Sequence, residues 1–398
     1  MTLPPTLLHP DVRTLFECLG DGSVRFVGGC VRNALLDIPV TDIDVATVHA
    51  PQDVMARLQQ AGIKYVPTGI DYGTVTAVIH GVGYEITTLR RDVATDGRRA
   101  VVAYTTDWAE DAARRDFTIN ALYADWDGTI YDPLEQGLRD LAARKIVFVG
   151  DADTRIREDY LRILRFFRFH AAYGRGAPDE QGLAACRRYA RFLTTLSRER
   201  ITQEVTKILM GSAPVPVLSV LRDCRILPAI FGAAMPLGDI AKLINLQEKG
   251  DFAAGNAAFC ARLYTVLGYR YGAALPLHKR MILTKKQQLI LLELCKIKLD
   301  FTAINDRVLR TCVYRFSRDA VMGAVMVAAV RQSIATESVI GILHHVRDLP
   351  VPICPVQGRD VIAMGYPAGI ALGKTLKNLE RRWVASGFSL SREELLEI

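Results

Sequence analysis

The chain has 398 residues, half of them hydrophobic, enough to bury two or more packed cores and not the composition of a disordered protein. Its formal net charge of +7 favours a polyanionic partner, although basic balance alone is weak ground for nucleic acid. Eight cysteines with no Cys-x-x-Cys spacing argue against a zinc ribbon or a secreted disulfide framework and suit a reducing cytoplasm. Neither a signal peptide over Met1 to Pro10 nor a membrane-spanning apolar run is expected.

Val24-Arg25-Phe26-Val27 predicts a short buried strand, ended by Gly28-Gly29 just before an amphipathic helical run from Val31 to Leu36. A strand, glycines and a helix start let backbone N–H groups approach a phosphate, and Arg32 adds a fixed cation. Taken alone, Gly-Gly is usually just a tight turn. Asp42-Ile43-Asp44 follows, and on a strand its two carboxylates share one face. Two hard oxygen ligands suit Mg²⁺, which takes one or two carboxylates together with substrate phosphates and water. An isolated Asp-x-Asp is more often a solvated strand edge or turn, so its neighbours in the sequence decide.

Tyr84-Glu85-Ile86-Thr87-Thr88-Leu89 alternates as a strand and offers Glu85 either as a third carboxylate or as a cross-strand ion-pair partner. The polar stretch containing Asp96-Gly97-Arg98-Arg99 has turn chemistry without apolar periodicity, which fits a mobile basic loop and an ordinary hairpin connection equally. From Arg114 to Leu122, charge, aromatic and amide groups crowd one short segment. Arg115 is suited to a triphosphate or sugar; if that segment is helical, Asp116 and Asn120 either face one ligand or stabilise the helix.

The next helical run, 155–172, carries Glu158-Asp159-Tyr160-Leu161-Arg162, then Arg165 and Arg168, with Leu161, Leu164 and Phe167 on its apolar side. Asp159 and Arg162 at i,i+3 put an acceptor group beside a fork of donors. Cytosine and adenine both present an amino donor beside a ring acceptor and match such a pair. Uracil and guanine oppose a carbonyl oxygen to the carboxylate and a ring N–H to the arginine, so like meets like. The plainer reading is a salt bridge on a solvated helix face, stabilising by about 0.2–0.5 kcal/mol.

Near residue 140 the pattern changes from short β-rich runs between helices to an almost wholly helical remainder, including 180–193, 198–210 and 214–224. His344-His345 are adjacent, so on a helix they make poor joint metal ligands. Gly365-Tyr366-Pro367-Ala368-Gly369 separates two helical pieces, the second bearing Lys374, Lys377, Arg381 and Arg382. That arrangement suits either a backbone phosphate or a basic solvated helix.

In order, GGCVRNALL, DIDVAT, YEITTLRRD, DGRR, EDAARRDFTINALY, YDP and IREDYLRILRFFRF resemble the class II CCA-adding tRNA nucleotidyltransferases across the first half of the chain. Pro67 to Val75 resembles the CCA-adding version rather than that of bacterial poly(A) polymerase, a close relative within the superfamily. The resemblance implies an α+β chain: a nucleotidyltransferase head (1–143) with a small mixed β-sheet flanked by helices, then an all-helical neck (144–212), body and tail (213–398). It implies metal-binding carboxylates at Asp42 and Asp44, catalysis with Mg²⁺, and a triphosphate cradle at Gly28, Gly29 and Arg32. Nucleotide contacts are implied at Arg115, Asp159, Arg162, Arg165 and Arg168, with Asp116 and Asn120 as further candidates. Asp96 to Arg99 match the family's flexible loop, needed to switch from adding C to adding A. The implied partners are CTP, ATP and the acceptor and T arms of tRNA, gripped by the helical half. One departure is Asn33, where the family usually has Asp. Rival activities are poly(A) synthesis, CC-only or A-only addition, a small-molecule nucleotidyltransferase and a catalytically inactive RNA-binding module.

Overall fold

A computed structural model describes residues 3–96, 99–211, 213–231, 237–271 and 277–397. The chain divides into two compact units, 1–230 and 231–398. The first holds the sheet. Its strands are β1 (Val24–Val27), β2 (Asp44–Thr47), β3 (Lys64–Gly69), β4 (Thr74–Ile79), β5 (Val82–Thr88), β6 (Arg90–Asp96), β7 (Arg99–Tyr104), β8 (Tyr123–Ala124) and β9 (Ile130–Tyr131). Seven form one mixed sheet in the order β3-β4-β5-β2-β1-β8-β9, while β6 and β7 make a separate hairpin.

Among the described residues only β2 and β5 pair in parallel, with Asp44 opposite Glu85, Val45 opposite Ile86 and Ala46 opposite Thr87. Val45 and Ile86 are fully buried, so alternation turns the two carboxylates to the same rim. Register is therefore fixed by burial: slipping one residue would drive the acids into the core.

Two expectations need correction. Asp42 and Ile43 precede the strand, which begins at Asp44, so the Asp pair does not share a strand face by pleat alone. The helical run 155–172 is broken in two, Ala152–Glu158 and Leu161–Tyr173. Asp159 is extended, with φ −155° and ψ 106°, and its carboxylate accepts from Leu161 N at 3.0 Å, starting the second helix. Periodicity missed the break because the apolar stripe continues across it. Around Asp96–Arg99 the backbone is strand-paired, Asp96 opposite Arg99; Gly97 and Arg98 lie outside the described residues. The mobile-loop expectation turns on those two residues and so falls outside the described part of the chain.

Helices Glu180–Tyr189, Arg198–Leu209 and Pro214–Asp223 follow in the first unit. In the second unit every residue from Ala257 to Val266 of helix Gly255–Val266 is buried, and helix Arg318–Arg331 is nearly as enclosed. Helices apolar on all sides belong at the centre of a bundle. His344 packs on Phe252 and His345 pairs with Asp306 at 2.8 Å, so neither acts in a shared site. Among the described residues no helix is long and apolar enough to cross a membrane.

Candidate active site

A cavity of about 320 Å³ opens where β1 ends. Glycine at 28 is required by the backbone: φ is +69°, and a Cβ there would meet Arg115 Nη1 at 3.5 Å and Asn120 O at 3.6 Å. Gly29 has no such constraint and simply begins helix Gly29–Leu35. Seven residues make a modest dipole, so the cradle's positive charge comes chiefly from arginine side chains. Arg32, Arg114, Arg115 and Arg165 all line the cavity, together with Asp44, Glu85, Asp116 and Asn120.

Each arginine is held. Asp111, almost fully buried, accepts from Arg114 Nη2 at 2.6 Å, Arg115 Nη2 at 2.9 Å and the Tyr123 hydroxyl at 2.7 Å. Burial opposes ionisation of Asp111, yet the charges of Arg115 and Arg114 hold its carboxyl well below the usual carboxylate range. Sequence reasoning passed over Asp111, although its i,i+3 and i,i+4 spacing to the two arginines is a helical ion-pair signal. Asp116 accepts from Arg165 Nε at 2.8 Å and from Asn120 Nδ2 at 3.0 Å. Burial works against its charge as well, but Arg165 and Asn120 hold the carboxyl low. Asp116 and Asn120 thus orient cations at the wall. Their segment is not an α-helix: Phe117 is extended and Thr118–Asn120 form a single 3₁₀ turn.

On the acidic rim, Asp44 is half-buried while Asp42 and Glu85 are exposed. Burial raises the Asp44 carboxyl above its ordinary value, and the negative charges of Glu85 and Asp42 raise it further against the pull of Arg115. Such accumulated like charge is what a divalent cation relieves. Among the described residues no three His, Cys, Asp or Glu side chains converge into a complete metal site. Mg²⁺ chemistry fits that geometry, because the ion takes its remaining oxygens from water and substrate phosphate. Asp44 and Glu85 also border a second cavity of about 640 Å³, which Asp42 lines as well, so these two carboxylates stand between two spaces.

The expected base-reading pair is placed differently. Asp159 is held by Arg200, with Nη1 to Oδ1 at 3.1 Å and Nη2 to Oδ2 at 2.6 Å. Arg162 donates to Glu158 and to the carbonyl of Arg155 at 3.0 Å. The two side chains do not bond each other, and with Arg168 they lie outside the lining of the 320 Å³ cavity. Arg168 instead donates to buried Glu204 at 2.6 Å. Arg200 and Glu204 share one face of helix Arg198–Leu209 at i,i+4, so this helix anchors the segment that carries Asp159 and Arg168. The sequence marked the helix itself as the run 198–210 but gave no sign of this anchoring role.

Residues 24–147 match the Poly A polymerase head domain, and residues 177–236 match a probable RNA- and SrmB-binding site of polymerase A. The mitochondrial CCA tRNA nucleotidyltransferase 1 of Mus musculus is 34% identical over 385 residues, which cover 94% of this chain and 85% of that one. The chain belongs to the class II CCA-adding tRNA nucleotidyltransferase family. A CCA-adding enzyme of Limosilactobacillus fermentum is 32% identical over 94% of this chain and 91% of its own. In fold, the crystal structure of the Bacillus stearothermophilus CCA-adding enzyme in complex with CTP matches with TM-score 0.74 and 28% identity, covering 95% of this chain and 94% of that chain. The family makes the chain a nucleotidyltransferase and accounts for the mixed sheet followed by helices.

Proposed function

We propose that the chain adds C, C and A in turn to the 3′ end of tRNA from CTP and ATP, without a nucleic-acid template, releasing pyrophosphate at each step. The supporting observation is a carboxylate rim at Asp42, Asp44 and Glu85 beside an arginine-walled cavity, in a chain whose full-length relatives are named for CCA addition. In each step the tRNA 3′-oxygen attacks the α-phosphorus, a new P–O bond forms, and the bond to the β-phosphate oxygen breaks. Arg32 and Arg115 bind and orient the triphosphate, and Asp111 and Asn120 keep those guanidinium groups aimed. Mg²⁺ held by Asp42 and Asp44, with Glu85 adjoining, would supply Lewis-acid stabilisation of the developing charge and a lower pKa for the attacking hydroxyl.

Asp159 and Arg162 read the base in this proposal. They would exchange their present partners, Arg200 and Glu158, for the base edge when a nucleotide is bound. The segment Asp96 to Arg99, whose two end residues pair with each other, takes part in the switch from C to A. The second unit grips the acceptor and T arms through phosphate contacts, for which Lys374, Lys377 and Arg381 form an exposed basic row on helix Ile370–Ala385. All eight cysteines are free thiols, which supports a reducing compartment such as the cytoplasm.

The deciding assay incubates the protein with tRNA lacking its 3′ terminus and each labelled nucleotide, then sequences the product. Addition of CCA and no more is expected. Growth beyond three residues with ATP alone would make the chain a poly(A) polymerase, and an arrest at CC would make it a CC-adding enzyme.

A further inference from the structure

The cavity arginines are compensated unequally. Arg114 and Arg115 share the carboxylate of Asp111, and Arg165 pairs with Asp116. Arg32 is different. Its side chain is buried, and its hydrogen bonds go to neutral oxygens: Nε and Nη2 to Asn33 Oδ1 at 3.2 and 2.9 Å, Nη1 to Asn120 Oδ1, and Nη2 to the Tyr173 hydroxyl at 2.8 Å. Beside it lie the rings of Tyr173 and Phe169, 4.0 and 5.1 Å from the guanidinium carbon to the centroids. Among the described residues no carboxylate forms an ion pair with Arg32.

Neutral acceptors satisfy the geometry of a guanidinium without cancelling its charge. A buried cation without an anion is costly, and burial works against the charge of Arg32. Asp116 acts on Arg32 only at a distance, and with no carboxylate in contact a direct counter-charge must come from outside. Asn33 is the acceptor best placed to have supplied it, since its side-chain oxygen contacts two nitrogens of Arg32 while its amide donates to the Pro39 carbonyl at 3.2 Å.

We propose that Asn33, Asn120 and Tyr173 form a neutral cage that leaves the charge of Arg32 available to a polyphosphate, and that Asn33 sets the polyphosphate affinity of the cavity. This rests on the reading of that cavity as the triphosphate site. The cage orients Arg32 from three sides and thereby fixes where the phosphate chain lies, while base choice is made elsewhere. A carboxylate at position 33 would give Arg32 an internal partner at the same two nitrogens. Polyphosphate would then compete with it.

The test compares the wild-type chain with Asn33→Asp and Asn33→Ser. Inorganic tripolyphosphate, which has no base to read, serves as competitor against CTP and ATP, and melting temperature is measured alongside. Asn33→Asp should raise the KM for CTP and ATP and the inhibition constant of tripolyphosphate together, by roughly five- to tenfold, the scale of one charge-assisted contact. The ratio of CTP to ATP use should stay fixed, and the melting temperature should hold or rise. Asn33→Ser removes the acceptor without adding charge and should weaken binding less than Asn33→Asp. Equal affinity in Asn33→Asp and wild type, or equal losses in the two variants, would overturn the proposal, as would weaker binding accompanied by a lower melting temperature. A wild-type chain that binds neither tripolyphosphate nor CTP would overturn the underlying site reading as well.

Discussion

The acidic rim and the segment proposed to read the base are placed by different forces. Asp44 and Glu85 come together because β2 and β5 pair in parallel, and buried Val45 and Ile86 lock the register. Backbone hydrogen bonds set that geometry, and the side chains follow from alternation. Asp159 and Arg162 sit at a helix break, where direction is set by ion pairs with Arg200 and Glu158. Sheet register holds a site rigidly in place. An ion-paired segment can exchange partners, which suits the proposed reading of two different bases in succession.

The largest expected effect lies on the rigid side. Asp42→Ala or Asp44→Ala should cut nucleotide incorporation by about a thousandfold or more, as loss of a main electrostatic stabiliser does, with tRNA affinity by filter binding nearly unchanged. Residual turnover near wild type would remove the carboxylates from the chemistry and leave the rim without a role.

A smaller effect tests the exchangeable side. Arg200→Met frees Asp159 from its anchor and should raise misincorporation of UTP or GTP by about tenfold, the equivalent of about 1.4 kcal/mol, while overall folding by circular dichroism persists. Arg200→Lys should restore part of the discrimination. Unchanged nucleotide choice in both variants would show that Asp159 reads no base or needs no anchor.

The smallest effect sharpens the rim itself. Glu85→Gln removes a negative charge that, after burial, is the main influence raising the Asp44 carboxyl. Asp44 would then ionise at lower pH, so the acid limb of the kcat profile should move to lower pH. A limb that stays put or moves upward would separate Glu85 from Asp44 and weaken the case for a shared rim.

Local signals made much of this legible. Gly28 announced the turn because only glycine takes its backbone conformation without strain, and the Tyr84–Leu89 alternation announced the strand that carries Glu85. The Asp159–Arg162 spacing misled, since a continuous apolar stripe hid the extended residue between two helices. Asp111 was within reach through its spacing to Arg114 and Arg115. Arg200, Glu204 and Tyr173 were not, because their partners lie far off in sequence and no periodicity links them.

By itself the sequence determined the chemistry available: paired carboxylates, a glycine turn, cations in order along the chain, and a helical second half. These depend on residue type and short-range spacing, which the backbone converts directly into geometry. Only the tertiary structure decided which cations meet a carboxylate and which meet neutral groups. Arg115 and Arg165 meet carboxylates, whereas Arg32 meets only amide and phenol oxygens. That difference is electrostatic and long-range in sequence, and it arises when folding brings separate segments around one cavity.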